Sequence, residues 1–154
     1  MAEVTEAPLR ILVVEDEVLI ALELEYLLED LGHVSVGVAG CSADAIALGH
    51  TARPDVALVD VHLVDGPTGV EVARALSRDP QVAVVFMTAN AKRIPPDFAG
   101  ALGVIAKPYS ERAVAGVLDY VAQRRAGRAP SVEALDGFDP APAAGGGART
   151  GGAP

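Results

Sequence analysis

The feature that most limits what this chain can fold into is an alternation. Short aliphatic runs trade places with longer amphipathic stretches, repeatedly, between Leu9 and about Arg125. Leu9–Val14 is an aliphatic run of strand length. Asp16–Leu31 has the helical period: Ile20, Leu24, Leu27, Leu28 and Leu31 share a face, with Glu23, Glu29 and Asp30 off it. Gly32 supplies its stop. His33–Val38 is poorer in aliphatics and suits an edge strand. Ser42–Ala52 is predicted to be a helix with Ser42 as N-cap, ended by Arg53-Pro54. Val56–Val59 is a wholly apolar strand, and Asp65-Gly66-Pro67 is a turn. Thr68-Gly-Val-Glu71 has capping-box spacing and opens a helix to about Arg78. Val82–Met87 is the next central strand. Pro95-Pro96 opens a short helix to about Leu102, Val104–Ala106 is a brief strand, and Ser110–Arg125 is the last helix.

Such alternation implies a parallel sheet covered on both faces. Right-handed crossovers leave few topologies. The expected fold is α/β, a flavodoxin-like (βα)5 doubly wound parallel sheet of strand order 2-1-3-4-5. Aromatics make up 4% of the chain and Trp is absent, so the core must be Val, Leu, Ile and Ala, as buried parallel sheets prefer. Three regions are expected: a flexible N-terminus over 1–8, the folded unit over 9–125, and a flexible Gly/Ala/Pro-rich tail over 126–154. That tail has too little apolar mass to offset its ordering entropy, with Leu135 and Phe138 its largest apolar residues.

Some function classes are disfavoured at once. Twelve basic residues stand against 21 acidic ones, a formal charge of -9, which argues against non-specific nucleic-acid binding. The lone Cys41 excludes an internal disulfide and fits a reducing cytoplasm. No apolar run approaches the ~20 residues of a membrane span, and Met1–Pro8 has no secretory h-region. A cytoplasmic protein with no membrane or nucleic-acid partner is expected.

Chemistry appears where the strands end. The first ends in Glu15-Asp16, the third in Asp60, the fourth in Thr88 and the fifth in Lys107-Pro108. In an open α/β sheet, ligands bind beyond the carboxyl ends of the strands, so these groups should converge on one rim. Three close carboxylates repel, at about 4 kcal/mol per pair at 4 Å and an effective dielectric near 20. A hard divalent cation relieves that cost, and Mg²⁺ favours one or two carboxylates with water and phosphate oxygens. A carboxylate can attack phosphorus to form an aspartyl phosphate. The new phosphoryl charge needs the metal, an ammonium and a hydroxyl donor, which Mg²⁺, Lys107 and Thr88 would supply. Taken singly, each residue has a plain structural role: helix cap for Glu15 or Asp16, turn residue for Asp60 or Thr88, exposed loop for Lys107. The set, on four strand ends in this order, points to the site.

At these residues the sequence resembles a known family, the response-regulator receiver domain of two-component signalling. Ile11-Leu-Val-Val-Glu-Asp-Glu17, Val56-Ala-Leu-Val-Asp-Val-His-Leu63, Val85-Phe-Met-Thr-Ala89 and Gly103-Val-Ile-Ala-Lys-Pro-Tyr109 carry the resemblance, which spans about Leu9 to Arg125. It implies Asp60 as phosphoacceptor, assisted by Thr88 and Lys107. It implies an Mg²⁺ site of Asp16 and Asp60 directly, Glu15 through water, and the main-chain carbonyl of His62. It implies a cis Lys107-Pro108 bond, and an influence of His62 and Asn90 on phosphoryl lifetime. The aromatic switch usual three residues before the lysine is replaced by Val104, and Phe86-Met-Thr-Ala-Asn90 with Lys107-Pro-Tyr109 is similar to a stand-alone, single-domain subgroup of bacterial receivers.

The implied function is a phosphorelay response regulator that is phosphorylated by a sensor histidine kinase or a histidine phosphotransfer protein. It would be no enzyme beyond slow self-dephosphorylation, with output by protein–protein contact rather than DNA binding. Two other classes are weighed. A haloacid-dehalogenase-type phosphatase also has a nucleophilic Asp and Mg²⁺, but needs an acid where His62 stands. A receiver-like scaffold that is never phosphorylated would not need the full acid, Thr and Lys set.

Overall fold

The computed structural model describes residues 7–132 and 135–142. Its elements run β1 (Arg10–Val14), α1 (Val18–Asp30), β2 (Val34–Ala39), α2 (Ser42–Ala52), β3 (Val56–Asp60), α3 (Gly69–Leu76), β4 (Ala83–Thr88), β5 (Gly103–Ala106), α4 (Glu111–Arg125) and β6 (Phe138–Pro140). The sheet order is β2-β1-β3-β4-β5-β6. β1 to β5 are parallel in the expected order 2-1-3-4-5, and β2 lies at the edge as its composition suggests.

Period-two alternation divides the core between the two sheet faces. Ile11, Val13, Leu58, Val85, Met87 and Ile105 face one way, against Leu24 and Leu28 of α1 and Val114, Val117 and Leu118 of α4. Leu12, Val14, Ala57, Val59, Val84 and Phe86 face the other, against Ala45 of α2 and Val72, Ala73 and Leu76 of α3. Because β1, β3 and β4 are covered on both sides, their sequences read as unbroken apolar runs rather than alternating ones.

Four expectations need correction. The fourth crossover is not a helix: Ala91–Arg93 and Phe98–Gly100 form two short 3₁₀ turns. Pro95 and Pro96 bring no N–H donors, and Phe98, Ala99 and Gly100 lie at φ 55°, 51° and 84°, so no helical hydrogen-bond ladder can form there. Side chains bind this stretch instead, through the Arg74–Asp97 ion pair at 2.9 Å and the Ser77 hydroxyl donating to the Ala99 carbonyl at 3.1 Å.

The capping box at Thr68 does not form: the Thr68 hydroxyl donates to Asp65 at 2.6 Å rather than capping α3. Cys41, not Ser42, is the N-cap of α2, and the Ser42 hydroxyl also donates to Asp65, at 2.7 Å. One acid in the loop after β3 has taken both hydroxyls, and these bonds hold its carboxyl below the usual carboxylate range.

The region beyond residue 125 is not featureless. Phe138–Pro140 form β6, antiparallel to β5, and Phe138 is buried. Burial of the Phe138 ring and main-chain pairing with β5 together favour order here, a local feature that composition averaged over the region does not reveal. The expected flexible stretches at 1–6 and 143–154 lie outside the described residues.

Candidate functional site

All four strand ends meet at one rim. Glu15 and Asp16 follow β1, Asp60 ends β3, Thr88 ends β4, and Lys107 follows β5. Glu15, Asp60 and Thr88 are buried, whereas Asp16 is exposed. One carboxylate oxygen from each of Glu15, Asp16 and Asp60 lies within 4.8 Å of the other two.

One ammonium joins the two buried acids. Lys107 Nζ donates to Glu15 Oε1 at 2.9 Å and to Asp60 Oδ2 at 3.0 Å. Burial on its own would lower the Lys107 pKa. Hydrogen bonds and charge from Glu15 and Asp60 more than reverse this, so the group lies above the ordinary lysine value. The second oxygens are held by backbone amides: Glu17 N–H donates to Glu15 Oε2 at 3.1 Å, and His62 N–H to Asp60 Oδ1 at 3.2 Å. Among the described residues, no hydrogen bond or ion pair engages the Asp16 carboxylate.

Three carboxylates thus face one ammonium. Each acid pair within 4.8 Å repels by about 3 kcal/mol or more at an effective dielectric near 20. Hard oxygen donors with surplus negative charge, one of them unengaged and open to solvent, fit a divalent cation of the Mg²⁺ type.

The remaining expected residues are placed less tightly. Thr88 Oγ1 accepts the N–H of Asn90 at 3.0 Å, so the hydroxyl is held at the rim by the turn that follows it. The His62 side chain is exposed, and its role here is the amide bond to Asp60. Lys107-Pro108 is cis. Val104, in place of an aromatic, is buried in the core. Tyr109 lines a groove with Ile20, Glu23, Tyr26 and Leu27 of α1, and burial followed by the Glu23 charge raises its pKa.

Gly69 was missed at the sequence level. A Cβ there would sit 2.1 Å from the Asp60 carbonyl oxygen and 2.7 Å from the Val61 Cα, so only glycine lets α3 start so close to the acid loop.

Comparison with known proteins gives the family. The phyllosphere-induced regulator PhyR of Methylorubrum extorquens is 36% identical over 115 residues, covering 70% of this chain and 41% of that protein. The sensory transduction protein LytT of Bacillus cereus is 33% identical over 135 residues, covering 85% of this chain and 54% of that protein. The chain therefore spans about half the length, or less, of these relatives. Among solved structures, the response regulator PhyR from Brucella abortus superposes with a TM-score of 0.69 at 28% identity, over 79% of this chain and 51% of that one. The receiver domain of Erythrobacter litoralis PhyR gives 0.67 at 27% identity, over 82% of this chain and 98% of that one. A family profile described as the response regulator receiver domain matches residues 11–119, a span that takes in every strand end at the rim, and the chain belongs to that family.

Proposed function

We propose that Asp60 accepts a phosphoryl group from a histidine kinase or a histidine phosphotransfer protein, and that the phosphorylated chain signals through a protein contact. The observation that carries this is the Lys107 ammonium, held at 3.0 Å from Asp60 and 2.9 Å from Glu15 on a rim with surplus negative charge.

A carboxylate oxygen of Asp60 attacks phosphorus, the O–P bond forms, and the P–N bond to the donor imidazole breaks with the electron pair leaving on nitrogen. Each chain residue has a task. Lys107, already beside the acceptor, moves its charge onto the phosphoryl oxygens as they arrive. Thr88 gives its hydroxyl as a neutral donor, exchanging the Asn90 contact for a phosphoryl oxygen. The His62 amide fixes the orientation of the Asp60 carboxylate.

Asp16 and Asp60, the His62 carbonyl, and Glu15 through water would hold Mg²⁺. Bound there, the ion would offset charge on the transferring group and on the acids. The receiver unit would comprise residues 9–125. Output without DNA contact is supported by the charge of -9, and the role is that of a signalling protein rather than an enzyme. No helix among the described residues is long and apolar enough to cross a membrane.

The test is incubation of the chain with acetyl phosphate and Mg²⁺, read by intact mass. One added phosphoryl group is expected on the wild type and none on Asp60→Asn, and the adduct should be lost with hydroxylamine, as an acyl phosphate is. Labelling that survives Asp60→Asn would refute the assignment.

A further inference from the structure

The connection from β3 to α3 bears the His62 carbonyl, and a tight turn sets its shape. Leu63 and Gly66 exchange main-chain bonds at 2.8 and 3.0 Å, with Gly66 at φ 113°. At the α3 end, the Gly69 N–H returns to the Val61 carbonyl at 2.9 Å. At the outer edge, the Val64 N–H leaves the turn and donates to the Gly40 carbonyl at 3.1 Å. Gly40 belongs to the connection from β2 to α2 and lies against Asp16: a Cβ on it would be 3.4 Å from the Asp16 Cα. Two connections therefore meet at the rim, one bearing His62 and one backing Asp16.

Asp65 clasps them together. Its Oδ2 accepts the Ser42 hydroxyl at 2.7 Å and the Ser42 N–H at 3.3 Å, and its Oδ1 accepts the Thr68 hydroxyl at 2.6 Å. The Thr68 arm stays within one connection. The Ser42 arm joins the two, across 23 residues of chain.

These bonds are exposed. There a protein partner only replaces water, and the gain in stability is small. They cap no helix either, since Cys41 is the N-cap of α2 and the Thr68 side chain makes no cap bond. What they constrain is a distance. With no cation bound, Glu15, Asp16 and Asp60 repel one another, which pushes the end of β1 away from the end of β3. A clasp between the two connections opposes that spreading. It keeps the ligand groups at one spacing before the ion arrives, so less ordering is left for binding to supply.

We propose that Asp65 is a positioning residue for the metal site, acting through its bond to Ser42 to hold the His62 carbonyl and Asp16 in register. The inference rests on the reading of the rim as a phosphoryl-accepting Mg²⁺ site. Asp65 acts from outside that site and touches neither the ion nor the phosphoryl group.

The test titrates Mg²⁺ into the full-length chain by calorimetry. It also follows labelling by acetyl phosphate, by intact mass, at limiting and at saturating Mg²⁺. Asp65→Ala and Ser42→Ala are each expected to weaken Mg²⁺ binding about tenfold, the lower end of what losing a supporting partner costs a metal site. Ser42→Ala leaves the rim charge unchanged and, with Cys41 as the cap, leaves α2 its N-cap. Asp65→Asn removes the charge but keeps both bonds, because its amide oxygen accepts from Ser42 and its amide N–H donates to the Thr68 hydroxyl. It should bind Mg²⁺ as the wild type does. The double variant Asp65→Ala/Ser42→Ala should be no weaker than either single one, since both break the same bond. Labelling in the two Ala variants should be slow at limiting Mg²⁺ and normal at saturation. Amide exchange at Leu63, Val64 and Gly66 should quicken.

Wild-type Mg²⁺ affinity in Ser42→Ala would overturn the proposal. So would an equal loss in Asp65→Asn and Asp65→Ala, which would assign the effect to charge alone. A labelling deficit that persists at saturating Mg²⁺ would also overturn it, by showing a general loss of structure. A wild type that takes up neither Mg²⁺ nor phosphoryl would refute the underlying reading; a competent wild type matched by both Ala variants would refute the positioning role alone.

Discussion

Lys107→Met removes the charge at the centre of the rim and keeps most of the side-chain volume. In the wild type the ammonium lies 2.9 Å from Glu15 and 3.0 Å from Asp60. At an effective dielectric near 20 each contact contributes about 5–6 kcal/mol of attraction before desolvation is subtracted. Desolvation offsets much of that, because the Lys107 side chain is only 17% exposed. What decides the outcome is the remainder: Glu15 and Asp60, with side chains 4% and 12% exposed, are left facing each other and Asp16 with no counter-charge. Removing one partner from such a buried set costs about 3–5 kcal/mol. Against a total stability of about 5–15 kcal/mol, that is a large fraction.

Mg²⁺ should recover much of it. A ligand at a hundred times its Kd adds about 2.7 kcal/mol to any fold that binds it, and in the variant it also supplies the missing positive charge. Urea unfolding of wild type and Lys107→Met, each in EDTA and in excess Mg²⁺, measures all four stabilities. The variant is expected to lose about 3–5 kcal/mol in EDTA and to gain more from Mg²⁺ than the wild type gains. A loss below about 1 kcal/mol, the scale of an exposed ion pair, or an equal Mg²⁺ effect in both proteins, would refute the reasoning.

Four further outcomes are expected. Asp16→Asn should abolish Mg²⁺ binding by calorimetry while leaving stability in EDTA equal or higher, since it removes an acid that no group among the described residues engages; retained affinity would take Asp16 out of the metal site. Gly69→Ala should cost about 3 kcal/mol by overpacking against the Asp60 carbonyl, and an unchanged urea midpoint would count against that close approach. His33 is lowered in pKa by burial, and its Nδ1 accepts the Leu9 N–H at 3.0 Å. Its neutral form therefore supports the fold above the unfolded value of about 6.5, and that support fades as pH falls through the folded pKa. His33→Asn keeps an acceptor without titrating, so its melting temperature should fall less than the wild type's on acidification; parallel profiles would contradict this. Beryllofluoride with Mg²⁺ should change amide exchange over Ala89–Gly100, the stretch that begins one residue after Thr88 and has no helical ladder; changes confined to another face would contradict that.

The sheet was legible because strand order follows from alternation and handedness, which depend on many residues at once. The rim was legible for a related reason. Glu15, Asp60, Thr88 and Lys107 each follow directly on an aliphatic run, so errors of a residue or two in strand ends do not move them off it. The features that escaped depend on one residue or one competitor. Thr68 and Ser42 have sound cap spacing, yet Asp65 takes both hydroxyls, from three residues away and from 23, and spacing alone does not rank a competing carboxylate against a backbone amide. Pro95-Pro96 marks a helix start as readily as a helix's absence; the left-handed Phe98 and Ala99 decide it, and their side chains carry no hint of that. β6 was hidden because composition averages over a tail, whereas docking turns on Phe138 and on a glycine in β5 some 35 residues away in sequence.

β6 also sets a direction of travel. β5 runs toward Lys107, and β6 runs back the other way, from Phe138 opposite Ile105 to Ala141 bonded to Leu102. The path therefore leaves the sheet at its amino-end pole, away from the acids. A fluorophore attached just past Ala141 would report on that pole and stay clear of chemistry at Asp60. One placed at Asp136, before the turn into β6, would lie nearer the carboxyl end of β5. The same short strand thus offers two reporting positions, one toward each end of β5, separated by only a few residues of chain.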